Sequence, residues 1–111
     1  MDIIDYATVS GKSLIDEYLD KLPKREQLEA AEIRLKIEEE GHVALRALNT
    51  RKLRGKLWEI KFSQNRIMYV VQNDDDAIYF LHACKKQKGK AEKFELEKAI
   101  KRAKEFGLKV E

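Results

Sequence analysis

Glu59, Lys61, Arg66, His82 and Lys86 together offer a carboxylate, an imidazole and three cations. These groups transfer protons and hold negatively charged oxygens. Their spacing is strand-like. Leu57-Trp58-Glu59-Ile60-Lys61-Phe62 alternates, so Trp58, Ile60 and Phe62 share one face while Glu59 and Lys61 share the other. From Arg66 to Gln72, Arg66 falls with Met68 and Val70, and Ile67, Tyr69 and Val71 fall opposite. A third run, Ala77 to Cys84, continues into Lys85 and Lys86 and aligns His82, Cys84 and Lys86. Pairing the three runs in order brings the five polar groups to one sheet surface. A face of positive charge on a rigid sheet suits a polyanion such as RNA.

The elements that must hold this surface are few. The 111 residues fit one domain spanning 1–111, and 43% hydrophobic with 39% charged residues suits a compact, well-solvated protein. Net charge is only +3, but it is unevenly placed: residues 1–41 carry an acidic excess and residues 42–111 a basic one. That asymmetry implies a polyanion, or an acidic protein, as partner of the second part. The lone Cys84 cannot form an intramolecular disulfide, and Asp2 and Asp5 stand where a signal peptide would be basic. No run of eighteen apolar residues occurs, so the expectation is a cytoplasmic protein without a membrane partner.

Residues 2–8 read as a first strand. Ser10 and Gly11 read as a helix start, with Leu14, Ile15, Tyr18, Leu19 and Leu22 at helical spacing. Pro23 separates this helix from a second over 24–40, where Leu28, Ala31, Ile33, Leu35 and Ile37 sit among charges and Gly41 closes the end. Residues 42–51 read as a connection anchored by Leu45 and Leu48. Asp74-Asp75-Asp76 is a hairpin turn in preference to a cation site. A last helix over 92–106 turns Leu96, Ala99, Ile100, Ala103 and Phe106 inward. The order β-α-α-β-β-β-α predicts an α+β sandwich: a helical hairpin on one sheet face, a C-terminal helix, and the charged face left open.

The segments Lys52-Leu53-Arg54-Gly55-Lys56-Leu57-Trp58-Glu59-Ile60-Lys61, Arg66-Ile67-Met68-Tyr69 and Phe80-Leu81-His82-Ala83-Cys84-Lys85-Lys86 together resemble the RelE/ParE superfamily of toxins from bacterial type II toxin–antitoxin systems. Leu22-Pro23-Lys24 in the helical hairpin extends the likeness over almost the whole chain, and its pattern is that of the HigB-like, phage-derived branch. Cys84 stands where the family commonly has Phe, and 87–92 depart from its Lys-Thr-Pro pattern. The resemblance implies a two-layer RelE-like fold, its antiparallel sheet mixed at the first strand. It also implies a bacterial, cytoplasmic, ribosome-dependent messenger-RNA endonuclease that inhibits translation and arrests growth. Its partners would be the ribosome, mRNA and a cognate antitoxin of the helix-turn-helix type, through which alone it would reach operator DNA.

Such cleavage, without metal or other cofactor, needs a base for the 2′-hydroxyl proton, cations for the phosphorane and an acid for the leaving 5′-oxygen. Arg66 is the first choice for charge stabilisation, since a guanidinium stays protonated and grips phosphate with parallel donors. Glu59 and Lys61 are alternative bases, or else a cross-strand ion pair. His82 is acid, base or a structural histidine. Lys86 shares the His82 face, while Arg54, Lys56 and Lys85 read as RNA-backbone contacts or as solvated charges. Trp58 reads as core in preference to a base-stacking platform, Tyr69 goes with it, and Cys84 as a small buried residue. His42 and His82 are too far apart, and Cys84 too isolated, to signal a metal site. Two other classes compete with the nuclease: a ParE-like inhibitor of DNA gyrase without nuclease activity, and a nuclease-dead module that only pairs with an antitoxin.

Overall fold

The computed structural model describes residues 1–111. Its centre is a five-stranded sheet in the order β1-β5-β4-β3-β2, with β1 (Asp2–Asp5), β2 (Thr50–Arg54), β3 (Leu57–Phe62), β4 (Asn65–Gln72) and β5 (Ala77–Lys85). β1 runs parallel to β5 and every other pairing is antiparallel. The mixed first strand follows the expectation.

Local chemistry explains the punctuation. Ser13, rather than Ser10, caps α1 (Leu14–Asp20) by accepting from the Asp16 amide at 3.1 Å. Gly11 instead closes a turn back to Thr8. Pro23 opens α2 (Lys24–Glu40), and Gly41, at φ +58°, ends it. The acidic run forms the turn expected of it: one 3-10 turn over Asn73–Asp75, with Asp76 left-handed, joins β4 to β5.

The segment 42–51 is not a plain connection. It holds a short helix α3 (His42–Ala47) and the start of the edge strand β2. β2 reads Thr-Arg-Lys-Leu-Arg, so charge on both of its sides erased the alternation that would have signalled a strand. In α2, Ala30, Ile33 and Ile37 face inward, while Leu28 and Leu35, a near half-turn away around the helix, face solvent.

The sheet carries apolar clusters on both faces. On one side Ile60, Phe62, Ile67, Tyr69, Ile78 and Phe80 pack against Ile15, Leu19, Ile33 and Ile37 of the helical hairpin. On the other, Leu57, Met68, Val70, Leu81 and Cys84 pack against Ala99 and Ala103 of α4 (Lys90–Glu105) and against the tail residues Leu108 and Val110. The expectation of an open charged face is thereby corrected. Leu57, Met68, Val70 and Leu81 alternate with the polar groups, and leaving them in water would cost about 1.5–3 kcal/mol each. α4 covers them and, with them, the charges. Phe106, at the end of α4, packs edge-on against Tyr6, so it is half-exposed rather than core.

Candidate functional site

Strand register brings the expected side chains into neighbouring rows. Lys61 pairs with Arg66 and Arg66 with Cys84, while Glu59 pairs with Met68 and Met68 with His82. The position of His82 depends on a bulge. Tyr69 pairs with Phe80 but Met68 with His82, so Leu81 is an extra residue in β5. Strict alternation from Ile78 would put His82 beside Phe80 against the hairpin; the bulge re-aims it to the face of Arg66. Arg102 of α4 satisfies the Leu81 carbonyl at 3.0 Å.

At the centre lies Glu59, with no exposed surface. Its Oε2 accepts from Arg51 Nε at 2.9 Å, and its Oε1 is 3.5 Å from Arg66 Nη1. Arg66 is itself 6% exposed and donates from Nη1 to Glu92 of α4 at 3.0 Å. Arg51 Nη2 reaches the same Glu92 oxygen at 2.9 Å. Arg66, then Arg51, hold the Glu92 carboxyl below the usual range. Two buried atoms in this network have no hydrogen-bond partner, Glu59 Oε1 and Arg66 Nε. An unused N–H on a buried guanidinium can still take an anionic oxygen.

Beside this network, His82 is 7% exposed and its Nε2 is bonded to Glu95 of α4. Arg102 Nη1 lies 2.9 Å from Nδ1. Because arginine only donates, Nδ1 must accept, which makes His82 an Nε2–H tautomer donating to Glu95. Burial holds the imidazole below its ordinary value, partly offset by Glu95 and reinforced by Arg102 and Lys98. Cys84 closes the cluster, its thiol pushed up to about 12 by burial and then by Glu95. His82, Cys84 and Glu95 bring one ligand-type atom each within 4.8 Å of one another. A divalent metal on Nε2 would need that proton's place while Arg102 occupies Nδ1, leaving no nitrogen for the ring's proton; the arrangement suits proton exchange better than ligation.

Lys61, directly across from Arg66, is half-buried, and Lys86, just past the end of β5, is exposed; neither has an ion-pair partner. The other three expected RNA contacts lie apart from it. Lys85 turns to the hairpin side, donating to Asn65 Oδ1 at 2.9 Å with its ammonium over the Tyr18 ring. Arg54 pairs with Glu111 near the C-terminus, and Lys56 lies in the β2–β3 turn. Trp58 shares the hairpin-side face with Ile60 and Phe62, but the expectation that it is core is corrected: near the β2 edge no hairpin residue covers it, and it is 37% exposed.

Arg51, Glu92, Glu95 and Arg102 join the cluster although strand alternation does not point to them. Glu92, Glu95 and Arg102 lie three and seven residues apart, a helical stripe that was legible as a shared face. Nothing in the sequence indicated that this face would meet the sheet's charged row.

No curated protein matches the sequence significantly. Among solved structures, the RelE protein in the crystal structure of the archaeal RelE–RelB complex from Pyrococcus horikoshii OT3 superposes with a TM-score of 0.61 at 22% identity, covering 79% of this chain and 97% of that one. This likeness shows the RelE fold. Residues 17–104 match the family described as Phage derived protein Gp49-like (DUF891). The chain therefore belongs to the phage-derived Gp49-like family, with the RelE fold that its strand motifs implied.

Proposed function

We propose that this chain is the toxin of a type II toxin–antitoxin pair, a metal-independent endoribonuclease that cuts messenger RNA on the ribosome and is neutralised by a cognate antitoxin. The observation that carries this reading is the buried guanidinium of Arg66, its Nε unpartnered, on the same sheet face as His82 and Lys61. In the reaction the 2′-oxygen bonds to phosphorus as its proton leaves to a base. The P–O5′ bond then breaks as an acid protonates the 5′-oxygen, leaving a 2′,3′-cyclic phosphate and a 5′-hydroxyl. Arg66 and Lys61 stabilise the phosphorane, Lys86 steadies the adjoining backbone, and His82 exchanges the proton. Glu59 orients Arg51 and Arg66; with no exposed surface it is a positioning residue rather than the base.

Glu92 and Glu95 sit on the groups that RNA would use, so a bound phosphate displaces them and α4 shifts. The archaeal neighbour is a RelE held in complex with RelB, which supports an antitoxin partner here. Burial of Glu59 beneath α4 favours one second reading, a ParE-like gyrase inhibitor that never opens the cluster.

Primer extension on messenger RNA from cells briefly expressing the chain, beside Arg66→Ala, tests the assignment. New 5′ ends within reading frames that vanish in the variant are expected. Growth arrest with intact messages would reject the nuclease in favour of the gyrase reading, and no arrest would leave a binding module.

A further inference from the structure

The reverse face of the sheet holds a second feature that the cleavage cluster does not use. An open cavity of about 810 Å³ lies between α3 and the β2–β3–β4 part of the sheet. Trp58, Tyr69 and Leu45 line it, with Arg46 and Lys56 also on its wall. His42 of α3 bonds Asn73 of the β4–β5 turn at 2.9 Å and braces one side. Its volume is in the range of small-molecule and nucleotide sites.

Its unspent chemistry is specific. The Trp58 indole N–H has no acceptor, and neither Arg46 nor Lys56 makes an ion pair or a side-chain hydrogen bond, unlike their neighbours Arg51 and Arg54. Lys52, also unpaired, stands directly across from Trp58 in the β2–β3 register. An exposed aromatic face with two free cations on its wall, Lys52 beside it and a single carboxylate, Asp74, at the far turn matches a base that stacks while its phosphates meet charge on the β2–β3 side. The neighbours along β2 matter equally. Arg51 points to the cleavage cluster through Glu59, whereas Lys52, one residue on, belongs to the cavity side. β2 is the sheet's edge, so a single strand can pass from one face to the other around it.

From this geometry we infer that the Trp58 cavity is a nucleotide subsite for single-stranded RNA, in which a base flanking the cleaved position stacks on Trp58 and its phosphates contact Lys52, Lys56 and Arg46. The inference rests on the RNA reading above and extends it to a face remote from the cleavage cluster.

Trp58 is the only tryptophan, so the site carries its own probe. A mixed-sequence single-stranded oligoribonucleotide of about a dozen residues is titrated into the full chain. Indole fluorescence reports the cavity, and anisotropy of an end-labelled copy reports overall binding. Saturable quenching is expected, with about a tenfold loss of affinity in Trp58→Ala. Lys56→Ala, at an exposed turn position where truncation leaves folding intact, lowers the slope of log affinity against log salt by about 1. Trp58→Phe, which preserves an aromatic face, recovers most of the affinity. Binding that is weakened by Arg66→Ala but untouched by Trp58→Ala and Lys56→Ala would overturn the subsite and leave the RNA reading intact. Absence of binding to RNA at low salt, alone or with ribosomes added, would overturn both. Quenching by a purified antitoxin with none by RNA would reassign the cavity to a protein side chain.

Discussion

Replacing the buried carboxylate of Glu59 provides a quantitative test of how the site is held together. Glu59→Gln preserves volume and one acceptor but removes the charge that faces Arg51 at 2.9 Å and Arg66 at 3.5 Å. Breaking a buried ion pair from one side costs about 3–5 kcal/mol when the partner is stranded. Here neither partner is fully stranded. Arg51 is partly exposed and can resolvate, and Arg66 retains Glu92 at 3.0 Å. The cost therefore falls to about 2 kcal/mol, the scale of a charged hydrogen bond. Glu92→Gln alone, on a half-exposed carboxylate, costs about 0.5 kcal/mol after solvent screening. Combining the two leaves the Arg66 guanidinium buried with no counter-ion. The double variant should then lose about 4 kcal/mol, more than the sum of the singles, with a coupling of about 1–2 kcal/mol. Urea unfolding with a common m-value measures this, each 2 kcal/mol moving the midpoint by roughly 1 M. Additive losses, or a Glu59→Gln protein within about 0.5 kcal/mol of the parent, would refute the claim that Arg66 is held by two carboxylates acting together.

Four further outcomes are expected. Because burial holds the His82 imidazole below its ordinary value, the unfolded chain takes up a proton below about pH 6.5 that the folded chain still refuses. Stability should be flat above that pH and fall as pH drops toward the folded pKa, and His82→Asn should flatten this part of the urea midpoint against pH. Cys84, with its thiol pushed up to about 12, should react with iodoacetamide at pH 8 at least a hundredfold more slowly in the folded chain than in urea; equal rates would contradict its burial. Gly55 has φ +54°, and a Cβ there would collide with the Val110 carbonyl oxygen. Gly55→Ala should cost about 1–3 kcal/mol in thermal unfolding and loosen the C-terminal tail to proteolysis. The double variant Glu92→Gln/Glu95→Gln should bind single-stranded RNA more tightly than the parent, since the carboxylates that occupy Arg66 and His82 lose their charge; weaker binding would show that α4 assists RNA instead of competing with it.

Period-two alternation was enough to sort Glu59, Lys61 and Arg66 onto one face and Ile60, Phe62, Ile67 and Tyr69 onto the other, because pleat geometry is local and admits only two sides. The helical hairpin was equally legible, since Pro23 and Gly41 act on their own backbone whatever surrounds them. Three decisions belonged to tertiary structure. β2 became a strand because β3 offered it a ladder, although its own residues carry no apolar alternation. His82 reached the polar face only because the β4–β5 register admits Leu81 as an extra residue, a choice made by pairing across strands. And the apolar stripe of Ala99 and Ala103 announced that α4 would pack somewhere, but not where. The hairpin had already filled one face, so α4 took the other, and its remaining side chains Glu92, Glu95 and Arg102 came down on Arg66 and His82. An alternation pattern states which residues travel together. What they meet is decided by which surface is still uncovered when the chain closes on itself.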